Sequence, residues 1–179
     1  MNPLELLSRM TALDILLIGL WLAAIWFGWN SGILRQLFLL GSVLAGGIIA
    51  STVVYGVSYW TGLVSGTGRE RMLPFTYALL IVLVAAVIFL LTVRSYPQTR
   101  LMRHKGPDHL VGALLGFMVG LIAVDLAAGI LLMTTSEPWL VFDGARISIR
   151  QQLDSTPFIP FVAQAFSPVT SVVRNLLPV

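Results

Sequence analysis

The few side chains of this sequence that could perform chemistry are carboxylates, and Asp125 is the most isolated of them. It interrupts a long stretch that is otherwise apolar. An ionisable group inside a membrane span is costly, and such groups often mark a proton or ion path. Three interpretations stay open: a contact within the protein that satisfies the carboxylate, a contact with a partner, or proton or ion transfer. A relay usually needs a second group, and Asp14 is the other candidate.

Hydrolytic or metal-dependent chemistry has no motif in this sequence. His104 and His109 flank a basic segment, but there is no Gly-x-Ser-x-Gly, no His-Glu-x-x-His and no cysteine. Asp108 follows Pro107, where a carboxylate can cap the helix that begins there. The sequence therefore predicts no catalytic, cofactor-binding or metal-binding site, and it favours a protein that is not an enzyme.

The composition shows which solvent surrounds these groups. Of 179 residues, 57% are hydrophobic and only 11% are charged, and the mean hydropathy is +0.89. A soluble domain carries about 25% charged residues, so this chain is predicted to lie in a lipid bilayer. The pI near 9.8 could suggest nucleic acid as a partner. Lys and Arg are too thinly spread for that, and no nucleic-acid binding is predicted.

The apolar residues form four stretches that are long enough to cross a bilayer, which needs about 20 residues. The fold class is therefore an all-α membrane protein, with a four-helix transmembrane domain over residues 1–133. The predicted spans cover residues 13–29, 33–60, 72–93 and 110–133.

The remaining residues, 134–179, are predicted to form an amphipathic tail on the outer side of the membrane. From Phe158 onward, apolar residues recur with a helical period, and Ser167 and Pro168 begin a second short helix. Two interpretations are equally supported. The tail helices lie on the membrane–water boundary, or they pack against the outer ends of the spans.

Small residues predict where helices approach each other closely. Gly112, Gly116 and Gly120 recur every four residues and form one smooth groove on the fourth span. The groove either packs against the first or second span or contacts a second copy or a partner subunit. The second span offers a similar series that includes Gly41 and Ala45.

A turn around Gly32 is predicted to join the first two spans into a tight antiparallel hairpin that includes Gly28 and Arg35. The positive-inside rule places the loop between spans three and four in the cytoplasm, and both termini outside. The other side carries a similar number of basic residues, which weakens that assignment. The basic residues of the loop are Arg94, Arg100, Arg103 and Lys105.

The ordered set of these features resembles the colicin V production (CvpA-type) proteins, a family of the bacterial inner membrane. The matching positions are Leu13–Asp14–Ile15, Gly28, Gly32, Arg35, Leu37–Phe38, Asp108, the three glycines of the fourth span, and residues 153–157 (Leu-Asp-Ser-Thr-Pro). The sequence departs from the family at Ser31, Gln36 and Val119, where relatives often carry an arginine, an acid and an arginine. This chain lacks those polar residues, so a role that they have in relatives does not carry over to it.

The resemblance implies a protein of the bacterial cytoplasmic membrane that is linked to peptide-toxin export and envelope maintenance. The first hypothesis is a non-enzymatic module that contacts other membrane proteins or itself. The second is an accessory subunit of a larger respiratory, photosynthetic or transport complex. The third is a small channel or transporter that uses Asp125.

Overall fold

A computed structural model describes residues 10–66, 68–95, 105–136, 138 and 143–178. Within these residues the chain is helical and has no strand, which confirms the all-α fold class. We number the helices in chain order. The four long helices are α1 (Ala12–Ser31), α2 (Ile33–Ser65), α3 (Arg69–Ser95) and α4 (Lys105–Ser136), and the three short ones are α5 (Asp143–Ser155), α6 (Phe158–Ala165) and α7 (Ser167–Leu176).

Each of the four long helices contains one predicted span and is long and apolar enough to cross a membrane. All four extend beyond the predicted bounds, most of all α4. The start of α4 was predicted too late, because Pro107 is tolerated within the first turn of a helix, where its missing N–H has no intrahelical partner. Many apolar side chains on these helices are exposed, as expected for surfaces that lipid covers (Ile15, Trp26, Leu79 and Leu90).

The long helices associate as two pairs, and the pairing differs from the predicted hairpin of the first two spans. α1 packs chiefly on α4, and α2 packs chiefly on α3, while α1 and α2 have little contact with each other. Gly46 of α2 lies against Ala85 of α3, where an added Cβ would be 3.1 Å from the alanine. Close backbone approach drives helix association in lipid. Small residues on α3 and α4 therefore favour the α2–α3 and α1–α4 pairs over a pair of α1 and α2.

The tail helices α6 and α7 pack against the long helices, and the place of the tail relative to the membrane stays a prediction. Phe158 and Val162 of α6 pack against Leu17 of α1 and against α4. Val173 of α7 is fully buried against α2, α3 and α4. The Tyr77 hydroxyl of α3 donates a 2.8 Å hydrogen bond to the carbonyl of Leu176, which fixes the end of α7.

The residues that α7 touches are spread over three helices. Two glycines provide room for the leucines at the end of α7: Gly47 of α2 faces Leu176, and Gly129 of α4 faces Leu177, which follows the helix. The core cluster around Val173 consists of Ala50, Val54, Tyr77, Ile81, Ile122 and Leu126. The tail therefore completes the core that the α2–α3 pair and α4 share.

Candidate functional site

The glycines of α4 form a seam with α1 of the same chain. A Cβ added at Gly112 would lie 2.5 Å from the carbonyl oxygen of Gly28, and one at Gly116 would lie 2.5 Å from that of Ala24. A Cβ at Gly120 would meet the ring of Trp21, whose indole N–H donates a 3.2 Å hydrogen bond to the carbonyl of Phe117 on α4. The groove is thus filled from within the chain, so partner contacts need another surface.

The small residues of α2 lie elsewhere. Gly41 is exposed and has no atom within 4 Å of an added Cβ, and Ala45 is half-buried. Gly56 lies about four turns further along α2, on nearly the same face as Gly41. It is also exposed and has no atom within 4 Å of an added Cβ. Gly41 and Gly56 do not meet the glycines of α4, and they stay uncovered by the described part of the chain.

The turn between α1 and α2 is a single residue, Gly32, with φ +80° and ψ 175°. This φ favours glycine, and the side chain of Asp108 closes around the position that a Cβ would occupy. The Asp108 carboxylate accepts a 3.0 Å hydrogen bond from the N–H of Ile33, the first residue of α2. Asp108 therefore caps α2, whereas the sequence predicted a cap on its own helix, which begins earlier at Lys105.

His109 lies at the same end of the bundle as Gly32 and Asp108, and we call this end the turn end. Its Nδ1 lies 2.5 Å from the carbonyl oxygen of Trp29, and its ring stacks on the Trp29 indole at 5.6 Å between centroids. Both contacts join α4 to the end of α1. The other histidine, His104, lies outside the described residues.

Arg35 and Gln36 follow the turn on the first turns of α2. The Arg35 guanidinium carbon lies 5.9 Å from the ring centroids of both Phe27 on α1 and Phe89 on α3. Gln36 is fully buried, and neither its amide nor the Arg35 Nε has a hydrogen-bond partner among the residues that the structure describes. An amide buried without partners costs about 1–3 kcal/mol in protein mutational data, so these residues are unusual for a structural position.

Asp125 lies on the face of α4 opposite the glycine seam, about 25 Å along the helix from Asp108. It is half-buried, and the positive charge of Arg174 on α7 acts on it. A hydrocarbon core is about 30 Å thick, so Asp125 lies near the boundary opposite the turn end if Asp108 marks the other boundary. Such a position allows a carboxylate to be satisfied by the tail and by interfacial water.

Asp14 is fully buried and joins the beginning of α1 to the tail. Its carboxylate accepts hydrogen bonds from the N–H and the hydroxyl of Thr11, at 2.8 and 2.9 Å, in a capping box. It also accepts one from the hydroxyl of Thr156, between α5 and α6. Asp14 and Thr156 come from the two ends of the sequence pattern that carries the family resemblance, and the structure brings them together.

The basic residues used for orientation are only partly described. Arg94 is exposed on the last turn of α3, and Lys105 is the first residue of α4. Arg100 and Arg103 lie outside the described residues. Both described positions belong to the turn end, which also carries Arg35.

Sequence reasoning gave no role to three residues that the structure shows as buried polar side chains: Gln36, Tyr77 and Thr156. Gln36 was noticed as a departure from relatives, and Thr156 as part of a motif, but neither pattern shows a contact partner. Tyr77 gave no signal, because a hydroxyl within a span can also face lipid headgroups. In the described part of the chain, no three potential metal ligands form a group.

Four spanning helices with an inserted helical tail define a polytopic α-helical membrane protein. The colicin V production protein family matches residues 13–167, which is most of the chain. The chain therefore belongs to this family, as the resemblance implied, and family membership together with the apolar helices supports a place in the inner membrane. Comparisons with curated proteins and with solved structures give no match.

Proposed function

We propose that this chain is a non-enzymatic module of the bacterial inner membrane that supports peptide-toxin export or envelope integrity by contacting other membrane proteins. The family connects the chain with colicin V production. The observation that carries the proposal is the uncovered small-residue face of α2 with Gly41 and Gly56.

This face has the character of a helix-docking surface. Gly41, Ala45 and Gly56 let a backbone approach closely, and the exposed side chains of Ile48 and Ile49 flank them with apolar surface. Because lipid supplies no hydrophobic drive between helices, such close packing is what favours association within a membrane. The comparable groove of α4 already contacts α1, which leaves α2 as the available surface.

Single cysteines test this surface directly, because the natural sequence has none. We would place cysteine at Gly41 or Gly56 and crosslink intact membranes of toxin-producing cells. Gly19 of α1 is the matched control, since it is also exposed with no atom within 4 Å. We expect specific adducts from positions 41 and 56 and none from position 19.

Function is tested with bulky residues at the same sites. Gly41→Leu and Gly56→Leu are expected to lower toxin secretion while the protein stays folded in the membrane, and Gly19→Leu is expected to leave secretion unchanged. Normal secretion by both α2 variants, together with no adducts, would contradict the proposal. Stoichiometric co-purification with a respiratory or photosynthetic complex would instead favour an accessory subunit.

We also propose that the turn end faces the cytoplasm, with the tail and both termini on the outer side. The support is the segment from the end of α3 to the start of α4, which carries basic residues that include Arg94 and Lys105 and has no acid before Asp108. Single cysteines at Ser95 and Ser171, treated with a membrane-impermeant maleimide in intact spheroplasts, test this arrangement. Labelling at position 171 alone is expected, and labelling at position 95 alone would reverse the orientation.

A further inference from the structure

Two aromatic rings hold the guanidinium of Arg35 in place, and no acid of the described chain pairs with it. Phe27 and Phe89 lie on two different helices, and each ring centroid is 5.9 Å from the guanidinium carbon. Cation–π contacts of this kind fix the orientation of an arginine and leave its N–H groups free for hydrogen bonds. The site is therefore formed by α1, α2 and α3 together.

The described residues offer no anion to this charge. No carboxylate of the described chain lies within 4 Å of it, and the buried Nε donates to no acceptor. Asp108, the acid at the turn end, instead accepts the hydrogen bond of the Ile33 N–H. The adjacent Gln36 amide is also without a partner, so two successive side chains at this point have unused hydrogen-bonding capacity.

The depth of Arg35 identifies the kind of anion. Arg35 is the third residue of α2, about 5 Å along the helix from the turn at Gly32. Because the 20 residues of α1 span about 30 Å, as much as a hydrocarbon core, we expect the turn that follows them at the level of the phosphates of the adjacent leaflet. Arg35 is only half-buried, and Phe27 is 38% exposed, so the side chain can be reached from outside the bundle.

We propose that Arg35 binds the phosphate group of a phospholipid in the leaflet at the turn end, between the rings of Phe27 and Phe89. The planar guanidinium matches phosphate oxygens with two parallel hydrogen bonds. Exposed Arg94 on α3 adds positive charge at the same end of the bundle. The bound lipid would add a contact between the α2–α3 pair and α1, which have little contact with each other over the length of α1 and α2.

Native mass spectrometry of the full chain in detergent tests the proposal. The probes are phosphatidylglycerol, a diacylglycerol with the same acyl chains, and inorganic phosphate. We expect phosphatidylglycerol to bind and to raise the melting temperature, whereas diacylglycerol and inorganic phosphate leave it unchanged. An equal shift with inorganic phosphate would show a free-anion site and overturn the lipid assignment, and equal binding of diacylglycerol would overturn the role of the phosphate.

Variants assign the binding to Arg35. Arg35→Gln is expected to weaken phosphatidylglycerol binding about tenfold or more, because hydrogen bonds to charged groups are lost. Arg94→Gln, which removes an exposed charge at the same end, is expected to have a much smaller effect. Undiminished binding by Arg35→Gln would overturn the proposal. If that variant does not fold, Arg35→Lys keeps the charge without the planar fork, and binding as strong as that of the natural chain would equally overturn it.

Discussion

Replacing Gly112 with alanine is the sharpest test of the α1–α4 seam. The added methyl carbon would lie 2.5 Å from the Gly28 carbonyl oxygen and 3.1 Å from backbone atoms of Gly32. Non-bonded heavy atoms reach their optimal separation at about 3.5 Å. Because the obstructing atoms are backbone, no side chain can rotate away, and α1 must move outward by about 1 Å.

The magnitude follows from two opposing effects. Overpacking a tight contact costs about 1–3 kcal/mol, while alanine in a helix interior is about 1 kcal/mol more favourable than glycine. Gly19→Ala is the matched control, because Gly19 is likewise inside a long helix, α1, but has open space around an added Cβ. Gly112→Ala is therefore expected to destabilise the protein by up to about 2 kcal/mol and Gly19→Ala to stabilise it by up to about 1 kcal/mol, so that the two variants differ by about 1–3 kcal/mol.

The assay is reversible unfolding in mixed micelles of dodecyl maltoside and dodecyl sulfate, followed by helical circular dichroism. A cysteine pair that crosslinks α1 to α4 near the seam gives an independent measure of whether the two helices have separated. Gly116→Leu, whose side chain would meet the Ala24 carbonyl, should abolish that crosslink. If Gly112→Ala were as stable as Gly19→Ala, the seam would not be as tight as the distances require, and the reasoning would fail.

Two further changes test single polar groups. Gln36→Leu is expected to stabilise the protein by about 1–3 kcal/mol in the same unfolding assay, because it removes a buried amide that has no partner; destabilisation would show that the amide is satisfied. Tyr77→Phe is expected to cost about 0.5–1.5 kcal/mol and to speed proteolysis of the tail, because the hydrogen bond to Leu176 is lost; unchanged proteolysis would contradict the anchoring of α7.

The spans could be predicted because their length and apolarity are set by the bilayer, whatever the tertiary arrangement. The partners of each span could not, since a smooth groove at Gly112, Gly116 and Gly120 identifies a face and does not identify the helix that fills it. The turn at Gly32 suggested a hairpin of adjacent helices. Close approach to other small residues decided the pairing instead, and the two helices joined by one residue pack mainly on other helices.

In the tail, too, the sequence pattern predicts the helices and leaves their contacts open. Its helical period correctly marked Phe158, Val162, Val173 and Leu176, all of which are buried. The same pattern also marked Phe161 and Val172, which are exposed, because periodicity alone does not show how wide the covered face is. The link from Asp14 to Thr156 joins residues 142 positions apart, and no local pattern contains that information.

The insertion of α7 among α2, α3 and α4 has a consequence for the time course of biogenesis. Ser167–Leu176 leaves the ribosome after all four spans have been synthesised, yet Val173 fills the centre of the core that three of those spans share. Membrane integration and final packing are therefore separate events for this protein. Until α7 arrives, the nascent bundle exposes the apolar walls beside Gly47 and Gly129, and a chaperone or a membrane protease could recognise an incomplete chain there.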